Sequence, residues 1–281
     1  MIIRSYGTSS PAYLDKTGSQ ICSNEEIKKQ MFYIGFEVEK NFFVTNDGRV
    51  VQDRRNEVHP SHLFCNFEQD SSCGVEAVTN ILPLGGVKSP ERKKMFELFE
   101  SEKTLINESG ADGRCGGHIT VSCTQKGWTK GYNLYAAMRQ NFALIYAMFP
   151  HRLARLHCER NAALLMLPDW PKYSPVNIKQ NCIEIRLPNA VRTVDQMKNR
   201  YDLIFKLMKY SITEVITFKQ LKDECKSNLM RIYNRDAEKV GKVLRLADDF
   251  HSFLVTRQLN PTIERYFNSE QVQLYRNLFQ E

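Results

Sequence analysis

The strongest constraint on this chain is a run of six residues, Ile34-Gly35-Phe36-Glu37-Val38-Glu39, in which large apolar side chains alternate with glycine or glutamate. Successive side chains of a β-strand point to opposite faces. As a strand, this run puts Ile34, Phe36 and Val38 on one face and Glu37 and Glu39 on the other. Two more segments repeat the pattern. In Cys182–Leu187, Ile183, Ile185 and Leu187 oppose Glu184 and Arg186; in His118–Ser122, Ile119 and Val121 oppose His118, Thr120 and Ser122. A fourth stretch, Asp70–Asn80, carries Asp70, Ser72 and Glu76 and alternates less cleanly.

Glutamate is disfavoured in strands, though one on the outer face of a half-exposed sheet needs no special role. If these strands share a sheet and a core, Glu37, Glu39, Glu76, His118 and Glu184 line its other face. Carboxylates held that close repel one another. A hard dication, Mg²⁺ or Mn²⁺, is the natural counter-charge. Arg186 cannot ligate a metal, but its guanidinium is a fixed donor fork for a phosphate oxygen. Carboxylates, a histidine and an arginine on one open sheet are what metal-assisted phosphoryl chemistry needs. The chain has no Walker-type loop and no Gly-x-Gly-x-x-Gly after a strand, which excludes the common P-loop and dinucleotide-binding readings.

The 281 residues divide into an N-terminal arm (1–30), a catalytic α+β domain (31–195) and a helical C-terminal region (196–281) packed on the same domain. A hairpin is expected from Tyr33–Val44 to Arg49–Gln52 around Asn46-Asp47-Gly48. Ser89-Pro90-Glu91 opens a helix that buries Met95, Leu98 and Phe99. A second helix spans Tyr132–Phe149 and ends at Pro150. Hydrophobic residues at 42% and charged residues at 25% are ordinary globular composition. No apolar run is long enough for a membrane span, and MIIRSYGTSS lacks the apolar stretch of a secretory signal. The eight cysteines form no Cys-x-x-Cys pair, which argues for reduced thiols in the cytoplasm and against structural zinc. The net charge of +7 suits phosphate-bearing or acidic ligands. The mixed charges of the helical tail argue against a nucleic-acid partner.

The ordered series Gly35-Phe36-Glu37-Val38-Glu39, Asp70-Ser71-Ser72 with Gly74-Val75-Glu76, Cys115-Gly116-Gly117-His118 and Ile183-Glu184-Ile185-Arg186-Leu187-Pro188-Asn189 resembles the amidoligase family. That family belongs to the carboxylate–amine ligases of the glutamine synthetase and glutamate–cysteine ligase type. The resemblance implies a curved, mainly antiparallel sheet with helices packed on one face, holding ATP and Mg²⁺ (or Mn²⁺) on its concave side. It implies metal ligation by Glu37, Glu39, Glu76, His118 and Glu184, with His118 and Glu184 nearest the ATP phosphates. It further implies that Arg186 contacts the transferred phosphoryl group, and it places Asp70 on the substrate side as the general base. The implied reaction joins a small-molecule or peptide carboxylate, activated as an acyl phosphate, to an amine. Where relatives carry a second histidine this chain has Thr120, from which altered substrate contact is expected. A competing expectation is an inactive amidoligase-like binding protein, or a structural protein of a virion.

Other features have a plainer reading. His59 and His62 flank a proline that blocks helical alignment. Cys115 is expected to be a small buried residue beside a tight glycine turn, with Gly116 and Gly117 allowing the backbone close to a ligand. Arg152, Arg155 and His157 read as a solvated helix start, and Tyr132, Tyr135 and Tyr146 as packing residues.

Overall fold

A computed structural model describes residues 31–52, 63–70, 73–154 and 174–279; the side chains of Asn66, Glu68, Gln69 and Asp70 are also outside the description. The expected N-terminal arm and the His59/His62 pair lie outside the described residues.

β1 (Phe32–Lys40) is the centre of the sheet. It pairs on one side with β5 (Gly74–Thr79), which in turn pairs with β4 (Phe64–Asp70). On its other side lie β7 (Ile119–Cys123), β9 (Ile183–Ile185) and β8 (Val176–Ile178), while β6 (Leu82–Pro83) pairs with the start of β1. Every pairing is antiparallel. The protein is thus a mixed α/β fold with a mainly antiparallel sheet.

The alternation read in β1 decides which face is buried. Ile34, Phe36, Val38, Ala77, Ile119, Val121, Ile183 and Ile185 are all essentially inaccessible and join one core. Two helices cover that face. α1 (Pro90–Ser101) starts as expected: the Ser89 hydroxyl accepts the Arg92 N–H, Pro90 holds the first turn, and Met95 and Phe99 are buried. Leu98 is only partly buried against the core. Phe99 meets Phe36 edge-on at 6.1 Å. α5 (Val194–Ile212), capped by Thr193, lays Met197, Tyr201, Ile204 and Met208 into the same core. The Tyr201 hydroxyl donates to Pro83 O and accepts the Gly85 N–H, both at 2.8 Å. This ties α5 to the chain leaving the sheet.

Three local expectations change. The run Tyr33–Val44 is not one strand, because the chain is captured after Lys40. Fully buried Lys40 sends its Nζ to Ile106 O (2.9 Å) and Ser109 O (3.3 Å), and the Asn41 N–H bonds Gly110 O (2.8 Å). Only β2 (Phe43–Val44) and β3 (Val50–Val51) then form a small hairpin around the Asn46-Asp47-Gly48 turn. The Asp70–Asn80 stretch divides between the last residue of β4 and the whole of β5. The helix expected over Tyr132–Phe149 is two, α3 (Gly131–Met138) and α4 (Ala143–Met148). They are joined by a tighter turn, Arg139–Phe142, where the Asn141 amide donates to the Ser211 hydroxyl at 2.7 Å. Tyr135 and Tyr146 are buried, but Tyr132 is exposed.

A short helix, α2 (Lys103–Asn107), follows α1. Beyond α5 come α6 (Phe218–Ile232), α7 (Ala237–Thr256), α8 (Pro261–Glu264) and α9 (Ser269–Phe279). α6 opens with a reciprocal Thr217–Gln220 cap. α7 packs on α4, with Phe250 against Tyr146 at 5.9 Å. Among the described residues no helix is long and apolar enough to cross a membrane.

Candidate functional site

The face of the sheet opposite the core carries the chemistry, and strand register aligns it. Glu39 lies opposite Glu76 across β1 and β5. Gly35 lies opposite Thr120, and Thr120 opposite Glu184, which is opposite Asn177 on β8. The ladder continues past the end of β7: the Glu37 N–H bonds His118 O (3.0 Å) and the Glu39 N–H bonds Gly116 O (3.2 Å). His118 therefore sits beside Glu37 on the carboxylate face.

The result is a histidine among carboxylates. His118 Nδ1 is 2.9 Å from Glu37 Oε2 and 3.7 Å from Glu184 Oε1, and its Nε2 is 3.4 Å from Glu39 Oε1. Glu37, Glu76 and His118 each offer one ligand atom within 4.8 Å of the others. Of the five ligands expected from sequence, those three form the compact group, while Glu39 and Glu184 flank it through His118. Glu39 also accepts the Gly116 N–H. Asp70 ends β4 opposite Gly74; its side chain lies outside the described residues.

The two glycines stand where the backbone passes close to other groups of the site. A Cβ on Gly116 would stand 2.7 Å from Glu39 Oε1 and 2.8 Å from His118 Nε2; one on Gly117 would stand 2.4 Å from Asn189 O. All three distances are shorter than real contacts allow. The glycines let the backbone crowd the site's own side chains and the neighbouring Asn189 segment. Just before them Cys115 is fully buried, as expected, with its Sγ 3.3 Å from Asn41 Oδ1. A hydrogen bond with Cys73 brings its thiol down to about 7, against burial.

Glu184 is the electrostatic pivot. It is 2% exposed and accepts hydrogen bonds from Asn177 Nδ2 (3.1 Å) and from Arg186, with Lys179 Nζ at 2.9 Å. Burial opposes its charge, but the attraction of Arg186, Lys179 and His118 together outweighs burial and holds its pKa down at about 2. Sequence reasoning missed Lys179 and Asn177. They come from the β8–β9 hairpin, and a Val-Asn-Ile triplet is too short to read as a strand. Thr120 is buried, and its hydroxyl finds no partner among the described residues.

Two carboxylate oxygens and an imidazole nitrogen suit Mg²⁺ or Mn²⁺. The orphaned Thr120 hydroxyl on the same face fits a site that receives a polar group. Fold and site together define a mixed α/β protein with a candidate metal centre on the sheet face opposite the apolar core.

No family model matches the sequence, and no curated protein aligns with it. A solved structure titled "Apo GmaS without ligand" matches 87% of this chain and 74% of its own, at 12% identity and a TM-score of 0.35. A likeness at that level carries no inference about activity.

Proposed function

We propose that this protein is an ATP- and Mg²⁺-dependent amide-forming ligase of the glutamine synthetase type, joining a carboxylate to an amine. The observation that carries the reading is the Glu37–Glu76–His118 group with Glu184 and Arg186 beside it on one sheet face. Glu37, Glu76 and His118 would hold a dication, with Glu39 and Glu184 adjoining. Bound there, Mg²⁺ would neutralise and orient the ATP phosphates.

The chain's own side chains supply the rest. Arg186 and Lys179 are cationic donors with little exposure, at 13% and 21%, held in place by Glu184. They are suited to stabilise negative charge on a phosphoryl group moving to the substrate carboxylate. The Thr120 hydroxyl offers a hydrogen bond to a substrate oxygen. Asp70 is proposed to take the proton that the amine must lose.

The test is direct. Mg²⁺ with ATP should raise the melting temperature, and mixtures of amino acids and peptides should elicit ADP release. Glu37→Gln or Arg186→Ala should abolish the release while the protein stays folded. Absence of both Mg·ATP binding and turnover would refute the reading. The second reading, an inactive binding protein, draws support from the same ion network: Arg186 and Lys179 already neutralise Glu184. It predicts a carboxylate face that stays free of metal, and no ADP release.

A further inference from the structure

A cavity of about 890 Å³ lies among the C-terminal helices, and none of Glu37, Glu39, Glu76, His118 or Glu184 lines it. Its lining is strongly one-signed. Among the described residues Arg200, Lys239, Lys242, Arg245 and Arg265 contribute, against one lining carboxylate, Asp249. Lys242 also touches Glu238, an exposed i,i+4 contact of small weight. Tyr233 and Tyr266 form part of the wall, with Lys239 over the first ring (5.0 Å) and Arg265 over the second (4.9 Å).

Arg200 is the telling residue. It is 7% exposed, yet its guanidinium meets only neutral partners: Asn189 O at 2.7 Å, Asn189 Oδ1 at 3.0 Å and the Phe149 ring at 5.8 Å. Among the described residues no carboxylate lies within ion-pair distance of it. A buried charge without a counter-ion is costly. Burial and the nearby Arg152 charge accordingly lower its pKa to about 10. A protein gains nothing for its own stability by holding an uncompensated guanidinium at the wall of a cavity that is lined by more cations. An anion entering there would supply the missing charge, and the walls would focus the attraction.

We infer that this cavity, which adjoins the Gly116–Gly117 segment through Asn189 and Arg200 but is lined by none of the five acidic-face residues, is a second binding site for a small multiply charged phosphate compound such as a diphosphate or a phosphate ester. Arg200 is its buried anchor, and Lys239 and Arg245 are its exposed margin. Planar guanidinium forks and the ammonium groups of Lys239 and Lys242 match phosphate oxygens. The inference does not depend on the ligase reading.

The experiment is calorimetric titration of the full-length protein with pyrophosphate, in EDTA at low ionic strength, so that no dication recruits the probe to the carboxylates. Saturable binding is expected, weakening steeply with added salt. The exposed double variant Lys239→Glu/Arg245→Glu should lose at least tenfold in affinity, as should Arg200→Met if it folds. Glu37→Gln should bind as the parent does. No binding at millimolar pyrophosphate would overturn the inference, and so would binding unchanged in the double variant or abolished by Glu37→Gln.

Discussion

Glu184→Gln, made in metal-free buffer, isolates one charge in the candidate site while keeping the shape of the side chain. In the folded protein the Glu184 carboxyl is depressed from 4.5 to about 2. The charged form is therefore favoured by folding. The stability it contributes is fully present above pH 4.5 and is lost as pH falls toward 2. The span of 4.5 to about 2 is worth about 3 kcal/mol at roughly 1.4 kcal/mol per pH unit. With a side chain only 3% exposed, solvent screening removes little of that. The measurable window is narrower: about 2 kcal/mol should disappear between pH 4.5 and 3. Urea denaturation of the two proteins side by side reads this out, because every other carboxylate titrates in both. The parent's advantage over Glu184→Gln should be constant above pH 5 and shrink below it. Stability curves that run parallel from pH 6 to 3 would refute the electrostatic account of Glu184.

Tyr201→Phe should cost about 2–3 kcal/mol in denaturant titration, because it strands the buried Pro83 carbonyl and Gly85 N–H that the hydroxyl now satisfies; a loss below 0.5 kcal/mol would deny α5 that role. Gly117→Ala should lower stability by about 1–3 kcal/mol, since the added carbon meets Asn189 O at 2.4 Å and backbone must move; an unchanged melting temperature would contradict the close approach. His118→Ala should abolish saturable Mn²⁺ binding measured by calorimetry, whereas Tyr132→Ala, an exposed change outside the Glu37–Glu76–His118 group, should leave it unaltered.

Much of the site could be read one strand at a time. The period-two alternation of Ile34–Glu39 assigns Glu37 and Glu39 to the face opposite Phe36 whatever the strand's neighbours are, because it follows from the geometry of a single extended chain. The same holds for His118 against Ile119 and Glu184 against Ile185. The start of α1 is equally local, since a serine hydroxyl and a proline act within one turn.

Register and neighbourhood are not local. That Glu39 faces Glu76, and Thr120 faces Glu184, depends on which segments pair and where they start, and that is settled by burial of a shared core. Capture of the chain after Lys40 needed carbonyls from residues 106 and 109, far off in sequence. Lys179 and Asn177 reach Glu184 only because a three-residue strand folds back beside β9. The basic cavity is legible only in part: Lys239, Lys242 and Arg245 recur at three-residue steps along α7, but Arg200 lies on α5 and Arg265 just past α8, and only helix packing turns them toward one space. Each residue's own geometry settles the direction of its side chain, whereas the company it keeps is settled by contacts that close long loops, and no short stretch of sequence contains those.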